Sequence, residues 1–441
     1  MGDINKIKVL WLSNVPPIPL DQNKKTAGGG WLSGAYESLK ADDSIELVMA
    51  FPVSYKFKKI QGKFEDSSYY GLSLPRVIKI LKIKAIQKIL LRKYLNDIIN
   101  KTNPDILHVF GTEALHSRIA SECFNKPEKT IIHIQGMVSV IAKHCETGFP
   151  FWAKHLFVPS SLLRSTIHGQ AKRFERAGKD EIISIQKSGY VMGRTEWDQA
   201  CTKQINPSVN YIHCGETLRS SFYEESSQWK YEECKKHSIY FSQSSSQVKG
   251  LHLVLPILQE LIRRYPDTHL YIGGNDPIGK SNIKGLLRRS PLGWYFKHQI
   301  KKYKLDKYVT FLGVQNEQKV VQNLKNAHVF LSASLIENSP NSVGEAQLVG
   351  TPDVSSDVGG VKDFIKHGEN GFIYPVDEPY MISYYIRKLF DDYELAERFS
   401  TVGREIGREK YSAEDNGTIL SRQYFDLSNS INHKILYDYV E

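Results

Sequence analysis

Two glutamates, Glu337 and Glu345, stand on either side of a helix start in the segment LSASLIENSPNSVGEAQLVGTP, residues 331 to 352. The apolar run AHVFL just ahead of it reads as a buried parallel strand. Ser339 is a good N-cap, Pro340 suits the first helical position, and Gly350 with Pro352 ends the helix. Glu337 then falls in the strand-to-helix turn and Glu345 a turn or more inside the helix. Between them, backbone N–H groups at the positive end of the helix point at whatever binds there. Such a place suits an anion flanked by carboxylates that hold hydroxyls, and a nucleotide-sugar has both parts. Exposed glutamates are common on helices, and a pair eight residues apart means nothing by itself. The cap, the proline and the following Gly-Thr-Pro give the pair its weight.

These residues need a scaffold, and 441 residues suit two domains of roughly 200 residues each. The first half opens with the strand IKVLWLS, a proline-rich loop, and TAGGGWLSGAYESLK, in which glycines 28 to 30 lead into a helical pattern. IELVMAFPV, PDILHVFG, TIIHIQG and SIQKSGYVMGRT supply further strands, alternating with helical patterns. The pattern restarts with HSIYFSQ, THLYIGG, YVTFLGV and AHVFLSA, and TPDVSSDVGG and GFIYPV give two shorter extended pieces. The expected fold is α/β, with two Rossmann-like, doubly wound domains and a ligand cleft between them at the carboxyl ends of the strands. The polar stretch from Asn210 to Lys236 places the boundary near 215. The expected layout is an N-terminal acceptor-side domain over 1–215, a nucleotide-sugar-binding domain over 216–395, and a helical tail over 396–441 that packs back on the first domain.

Composition narrows the function classes. The chain is 41% hydrophobic and 24% charged, as soluble globular proteins are, and no apolar run approaches the roughly 18 residues of a membrane helix. Its start moves directly into a strand without the pattern of a signal peptide. Five scattered cysteines with no C-x-x-C pair read as reduced thiols of a cytoplasmic protein. No metal constellation, D-x-D motif or cofactor signature is visible. The net charge is +10, and all of the excess lies in residues 1 to 220. That half is expected to meet something acidic, such as a phosphate-bearing acceptor or an anionic membrane face. Residues 74–100 concentrate the charge, with Arg76, Lys79, Lys82, Lys84, Lys88, Arg92 and Lys93 ahead of the first acid, Asp97. Val77, Ile78, Leu81, Ala85, Ile89 and Ile99 recur there at helical spacing, which predicts an amphipathic element with a basic face toward an anionic membrane surface. No nucleic-acid motif accompanies the charge.

The block ENSPNSVGEAQLVGTPDVSSDVGGVKDFIKHGENGFIYP resembles the donor site of the retaining, GT-B-fold glycosyltransferases of family 4. It has their two glutamates separated by seven residues, Gly-x-Pro, a glycine pair and an acidic-glycine segment. GGGWLSG, HVFGTEALH, IIHIQG, GRTEWDQA and VKGLHLVL extend the resemblance over most of the chain. GRTEWDQA and HCGETLRSSFY are similar to the subset that builds bacterial capsule, exopolysaccharide and lipopolysaccharide. The resemblance implies transfer of a sugar from a UDP- or GDP-sugar to a saccharide or lipid-linked acceptor, with no cofactor, at the inner face of the cell membrane. It implies that Lys249 neutralises the diphosphate, Glu337 sits beside the transferred sugar, and Glu345 holds the ribose. Backbone of Asn338, Ser339, Asn341 and Ser342 would contact sugar or phosphate, Gly313 and Val314 would pack the base, and Gly29 and Gly30 would let the chain approach the diphosphate. His133 takes the position of the family's cleft histidine, and Glu113 is an acceptor-side candidate. One departure stands out: Gln243 occupies the place, six residues before Lys249, where the family carries an arginine. Three other readings remain open at this point: a glycoside hydrolase using the two glutamates, a nucleotide-sugar epimerase, and a non-catalytic nucleotide-sugar-binding scaffold.

Overall fold

Fourteen strands are formed among the residues that the computed structural model describes, which are 6–19, 30–53, 61–81, 84–162, 164–279 and 282–437. They are β1 (Ile7–Ser13), β2 (Ile45–Pro52), β3 (Gln61–Phe64), β4 (Ser67–Leu72), β5 (Ile106–Phe110), β6 (Thr130–His133), β7 (Tyr190–Gly193), β8 (Asn210–His213), β9 (Lys235–Phe241), β10 (His269–Gly273), β11 (Val309–Gly313), β12 (Ala327–Ser332), β13 (Asp353–Asp357) and β14 (Phe372–Pro375). The first eight make one sheet, in the order β3-β4-β2-β1-β5-β6-β7-β8, and the last six another, in the order β11-β10-β9-β12-β13-β14. Every pairing is parallel except β3 with β4. The central strands β1, β5 and β12 are near-continuous apolar runs because helices cover both faces of a parallel sheet.

The chain divides into two compact units. The first comprises Met1–Ser139, Arg176–Thr217 and Ser412–Glu441; the second comprises Val140–Glu175 and Leu218–Tyr411. The second unit thus draws in residues 140–175, from before the polar stretch near 215. The C-terminal helix Ala413–Tyr437 belongs to the first unit, where Trp11 and His108 both hydrogen-bond the buried Tyr424 hydroxyl. Asn210–His213, read from sequence as part of a linker, is the edge strand β8. Its half-exposed pattern hides it from a search for apolar runs.

In each unit the strand order reverses beside the first strand, which opens a crevice at the carboxyl ends of two strands. In the first unit this point lies between β1 and β5, and in the second between β9 and β12. The helix after β9, Leu251–Arg264, buries Leu251, Val254, Leu255, Leu258 and Leu261 on one face. Its internal Pro256 cannot donate to the His252 carbonyl, four residues back, and the Gln299 side chain donates there instead, at 2.9 Å.

Candidate functional site

The β9/β12 switch point of the second unit gathers the residues singled out by sequence. After β9 the chain makes a short 3-10 turn, Gln247–Lys249, and reverses at Gly250, whose φ is +74°. Val248 accepts a hydrogen bond from the Leu335 amide at 2.7 Å, so this loop is fastened to the loop that follows β12. The Lys249 ammonium reaches the Glu337 carboxylate, and Ser334 donates to the same carboxylate oxygen at 2.7 Å. Ser334 is fixed in turn, since its carbonyl accepts from the Ser356 hydroxyl at 2.6 Å. Glu337 is therefore held by one cation and one hydroxyl drawn from two strand ends.

The helix that follows runs Asn341–Val349. Its cap is one residue later than the sequence predicts: Pro340 is the N-cap, not Ser339, and no side chain caps the helix. The Pro340 carbonyl accepts from Val343 and Gly344, because the residue stays extended (ψ 96°) and its ring leaves it no N–H to satisfy. The Ser339 hydroxyl is buried and has no hydrogen bond among the described residues. Gly350 closes the helix in the left-handed conformation, as expected.

Glu345 is one turn into this helix, and the Arg219 guanidinium donates to it at 2.9 Å. Burial raises the Glu345 carboxyl above its ordinary value, while Arg219 opposes that shift and favours the charged form. Arg219 lies over the Phe222 ring at 5.1 Å. Sequence reasoning missed this arginine, which lies in the stretch taken as a linker. Gln243 stands exposed after β9 and donates to Ser245 at 3.0 Å. Gly313, with φ +73°, and the exposed Val314 end β11 at the same carboxyl edge, two strands from β9. Asn338 is buried, and Asn341 and Ser342 open the helix half-buried.

In the first unit, Glu113 follows β5, and the Asn14 side chain, from the end of β1, donates to it at 2.6 Å across the switch point. Burial pushes its carboxyl up from 4.5 to about 7, and the nearby Glu181 adds to the effect. Glu181, which sequence reasoning did not single out, is fully buried and accepts from Thr112 at 2.6 Å and from the Val138 and Ser139 amides at 2.9 Å. His133 ends β6, buried between Trp31, Phe110 and His108, and neither ring nitrogen has a hydrogen bond among the described residues. Burial, with Arg194 nearby, lowers its pKa to about 3, so the ring is neutral at physiological pH. Gly30 begins the helix Gly30–Leu39, and Gly29 lies outside the described residues.

Glu113 gives a pH prediction. Between pH 4.5 and 7 the folded state keeps a proton on this carboxyl that the unfolded state releases, so the group's contribution to stability falls as pH rises. Glu113→Gln should melt higher than the parent chain above pH 7, with the advantage gone below pH 4.5. Melting curves across that range check it; an equal difference at every pH would remove the carboxyl as the cause.

The basic stretch forms two helices, Arg76–Leu81 and Lys84–Thr102. The longer one buries Leu91, Leu95 and Ile98, not the predicted stripe, and Val77 and Ile89 stand exposed. The buried residues also recur at helical spacing, so periodicity alone does not choose between the two stripes; packing against the helix Leu115–Phe124 and against β4 does. Lys82 lies outside the described residues.

Known proteins place this geometry. Residues 224–406 match the family model of glycosyl transferases group 1. The match holds Lys249, Glu337 and Glu345 and most of the second unit. One relative, a human phosphatidylinositol N-acetylglucosaminyltransferase subunit, is 32% identical over 117 residues, which are 26% of this chain and 21% of that protein. Spore coat protein SA of Bacillus subtilis is 26% identical over 179 residues, 40% of this chain and 45% of that protein. The chain therefore spans less than half the length of either relative. Sucrose-phosphate synthase from Thermosynechococcus elongatus superposes with a TM-score of 0.70 at 14% identity, covering 95% of this chain and 99% of that one. HepE of Anabaena, in complex with UDP-glucose, gives 0.63 at 16% identity with the same coverage. These likenesses show the fold: two Rossmann-like α/β domains of the GT-B kind. Among the described residues, no helix is long and apolar enough to cross a membrane.

Proposed function

We propose that this protein is a glycosyltransferase that moves a sugar from a nucleoside diphosphate to a hydroxyl of a saccharide or lipid-linked acceptor, with retention of configuration, in cell-surface polysaccharide synthesis. The observation that carries the reading is the Lys249–Glu337 pair at the β9/β12 switch point, beside a helix start without a side-chain cap, inside the group 1 match. In the transfer, the bond between the sugar C1 and the diphosphate oxygen breaks and its electron pair stays on the diphosphate. The acceptor oxygen bonds to C1 and releases its proton. The growing negative charge calls for fixed cations and aimed N–H groups, which Lys249 and the backbone amides of Asn338, Ser339, Asn341 and Ser342 can supply. With Lys249 drawn to the diphosphate, Glu337 is released to accept from sugar hydroxyls. Glu345, with one oxygen bonded to Arg219, retains the other for the ribose. Gly313 and Val314 are assigned to the base. Glu113, a carboxyl with a pKa about 7 suited to proton handling, is assigned to the acceptor side, and the neutral His133 ring to the catalytic set, beside the donor sugar or the acceptor. The basic stretch 74–100 suits a phosphate-bearing carrier.

Nucleotide binding is the first test. UDP or GDP at about a hundred times its Kd should stabilise the protein by about 2.7 kcal/mol, and Glu345→Ala should remove most of that gain. A melting temperature unmoved by either nucleotide or by their sugars would end the donor-site reading. The anomeric configuration of the product, read by NMR, decides retention.

A further inference from the structure

The second unit carries a face that the donor site does not use. It is built from the helix Phe151–Lys154, the 3-10 turn Pro159–Leu162 and the helix Ile283–Arg288. The turn is tied down where the Ser160 hydroxyl donates to the Arg289 carbonyl at 2.7 Å. The first helix lies on the helix Pro291–Lys302, with the Trp152 ring edge-on to Tyr295 and His298 at 5.4 and 5.3 Å. On this frame Phe151, Trp152, Phe157, Leu162, Ile283 and Leu287 stand between 48% and 79% exposed. Single exposed apolar residues need no explanation, but six within two short stretches, five of them on these three elements and Phe157 on the connection between the first two, do.

Charge distinguishes the occupant. Residues 147–174 and 282–305 carry four and seven lysines and arginines, and neither stretch contains an aspartate or a glutamate. Arg164, Arg173 and Arg288 form no ion pair among the described residues. A cavity of about 420 Å³ opens between Arg164 and Arg288, with Asn282 and Asp276 also in its wall. Arg164 also lines a second cavity, of about 390 Å³, together with Arg173 and Ser290. Aromatic and aliphatic side chains that protrude among unpaired cations match the headgroup layer of an anionic bilayer, where rings sit at the interface and cations meet phosphates. A second copy of the chain fits poorly, because a two-fold contact on this face would set the same arginines against each other.

We infer that this face of the second unit binds the surface of an anionic phospholipid bilayer, with Arg164 and Arg288 on a headgroup phosphate and Phe151, Trp152, Phe157, Leu162, Ile283 and Leu287 at the acyl boundary. The inference does not depend on the donor-site reading. The full chain should float with vesicles of phosphatidylcholine containing about 30% phosphatidylglycerol, not with phosphatidylcholine alone, and added salt should weaken the binding. Phe151→Ser combined with Leu162→Ser and Ile283→Ser should lower the partition coefficient about tenfold or more. Arg164→Glu with Arg288→Glu should do the same, and provides the test if the apolar set fails to fold. Loss of binding by the Arg164/Arg288 variant, at an unchanged melting temperature, supports the assignment, and the same loss by the apolar variant extends it to the acyl boundary. Four results would overturn it: no flotation of the parent chain, parent-like partition of the Arg164/Arg288 variant, a loss confined to Ile86→Ser with Ile89→Ser in the first unit, or partition unchanged while the apolar set turns a dimer into a monomer.

Discussion

Lys249→Ala should slow sugar transfer by two to three orders of magnitude while nucleotide still raises the melting temperature. The size follows from where the charge goes: one fixed donor at a developing oxyanion in a water-poor site is worth about a hundredfold to a thousandfold. Gln243 carries no charge, so within the loop after β9 Lys249 is the cation available. The substitution also frees the Glu337 carboxylate, which keeps the hydrogen bond from Ser334. A carboxylate left without its cation, beside an anionic donor, slows transfer further. The two effects separate in the double variant. If the stranded charge is responsible, Lys249→Ala with Glu337→Gln is faster than Lys249→Ala alone. If loss of the cation is responsible, the double variant is no faster. Initial rates at saturating donor give the comparison, and Lys249→Ala transferring within tenfold of the parent chain would remove Lys249 from the chemistry.

Strands of the inner sheet were legible because burial on both faces leaves continuous apolar runs, as in IKVLWLS and AHVFLS. Edge strands β3 and β8 were not, since an edge strand keeps polar residues on its open side and looks like a loop, and neither was β4 (SSYYGL), the polar strand beside β3. The discontinuous second unit was invisible for a different reason. Nothing local marks residues 140–175 as partners of residues after 218; the Gln247 side chain, for one, donates to the carbonyls of Cys145 and Ile167. The site divides the same way. Glu337, Glu345 and Lys249 were found because strand–turn–helix signals placed them locally. Their immediate partners come from afar: Lys249 is 88 residues from Glu337, and Arg219 is 126 from Glu345. The shifted helix cap is a smaller miss of the same kind. Ser339 fits the cap rules and Pro340 those of the first helical position, and the extended backbone at Pro340 makes it the cap instead.

Gly250→Ala and Gly359→Ala should each lower the melting temperature of the second unit by roughly 6 to 12 °C and abolish its response to nucleotide, whereas Gly313→Ala should lower the melting temperature far less. All three glycines have positive φ, at +74°, +54° and +73°, so an alanine at any of them meets the left-handed penalty of about 1 kcal/mol. The difference is steric. A Cβ at Gly250 would lie 1.7 Å from the Ala333 carbonyl oxygen, and one at Gly359 would lie 1.8 Å from the Glu337 carbonyl oxygen; one at Gly313 meets nothing within 4 Å. Backbone cannot swing aside as a side chain can. Relief at Gly250 requires the Lys249 loop to part from the strand-end loop to which Leu335 fastens it. Relief at Gly359 requires Glu337 to move, and the Gly360 amide that donates to the Glu337 carbonyl at 3.2 Å moves with it. A cost on the order of 3 kcal/mol corresponds to that fall in melting temperature for a domain of about 200 residues. Because the two glycines press on opposite partners of the Lys249–Glu337 pair, each substitution disturbs the pair from a different side while leaving both charged residues in place. Gly313→Ala, measured in parallel, supplies the backbone cost alone. If all three variants melt together within about 2 °C, close packing around the pair does not hold the site, and the ion pair itself must do so.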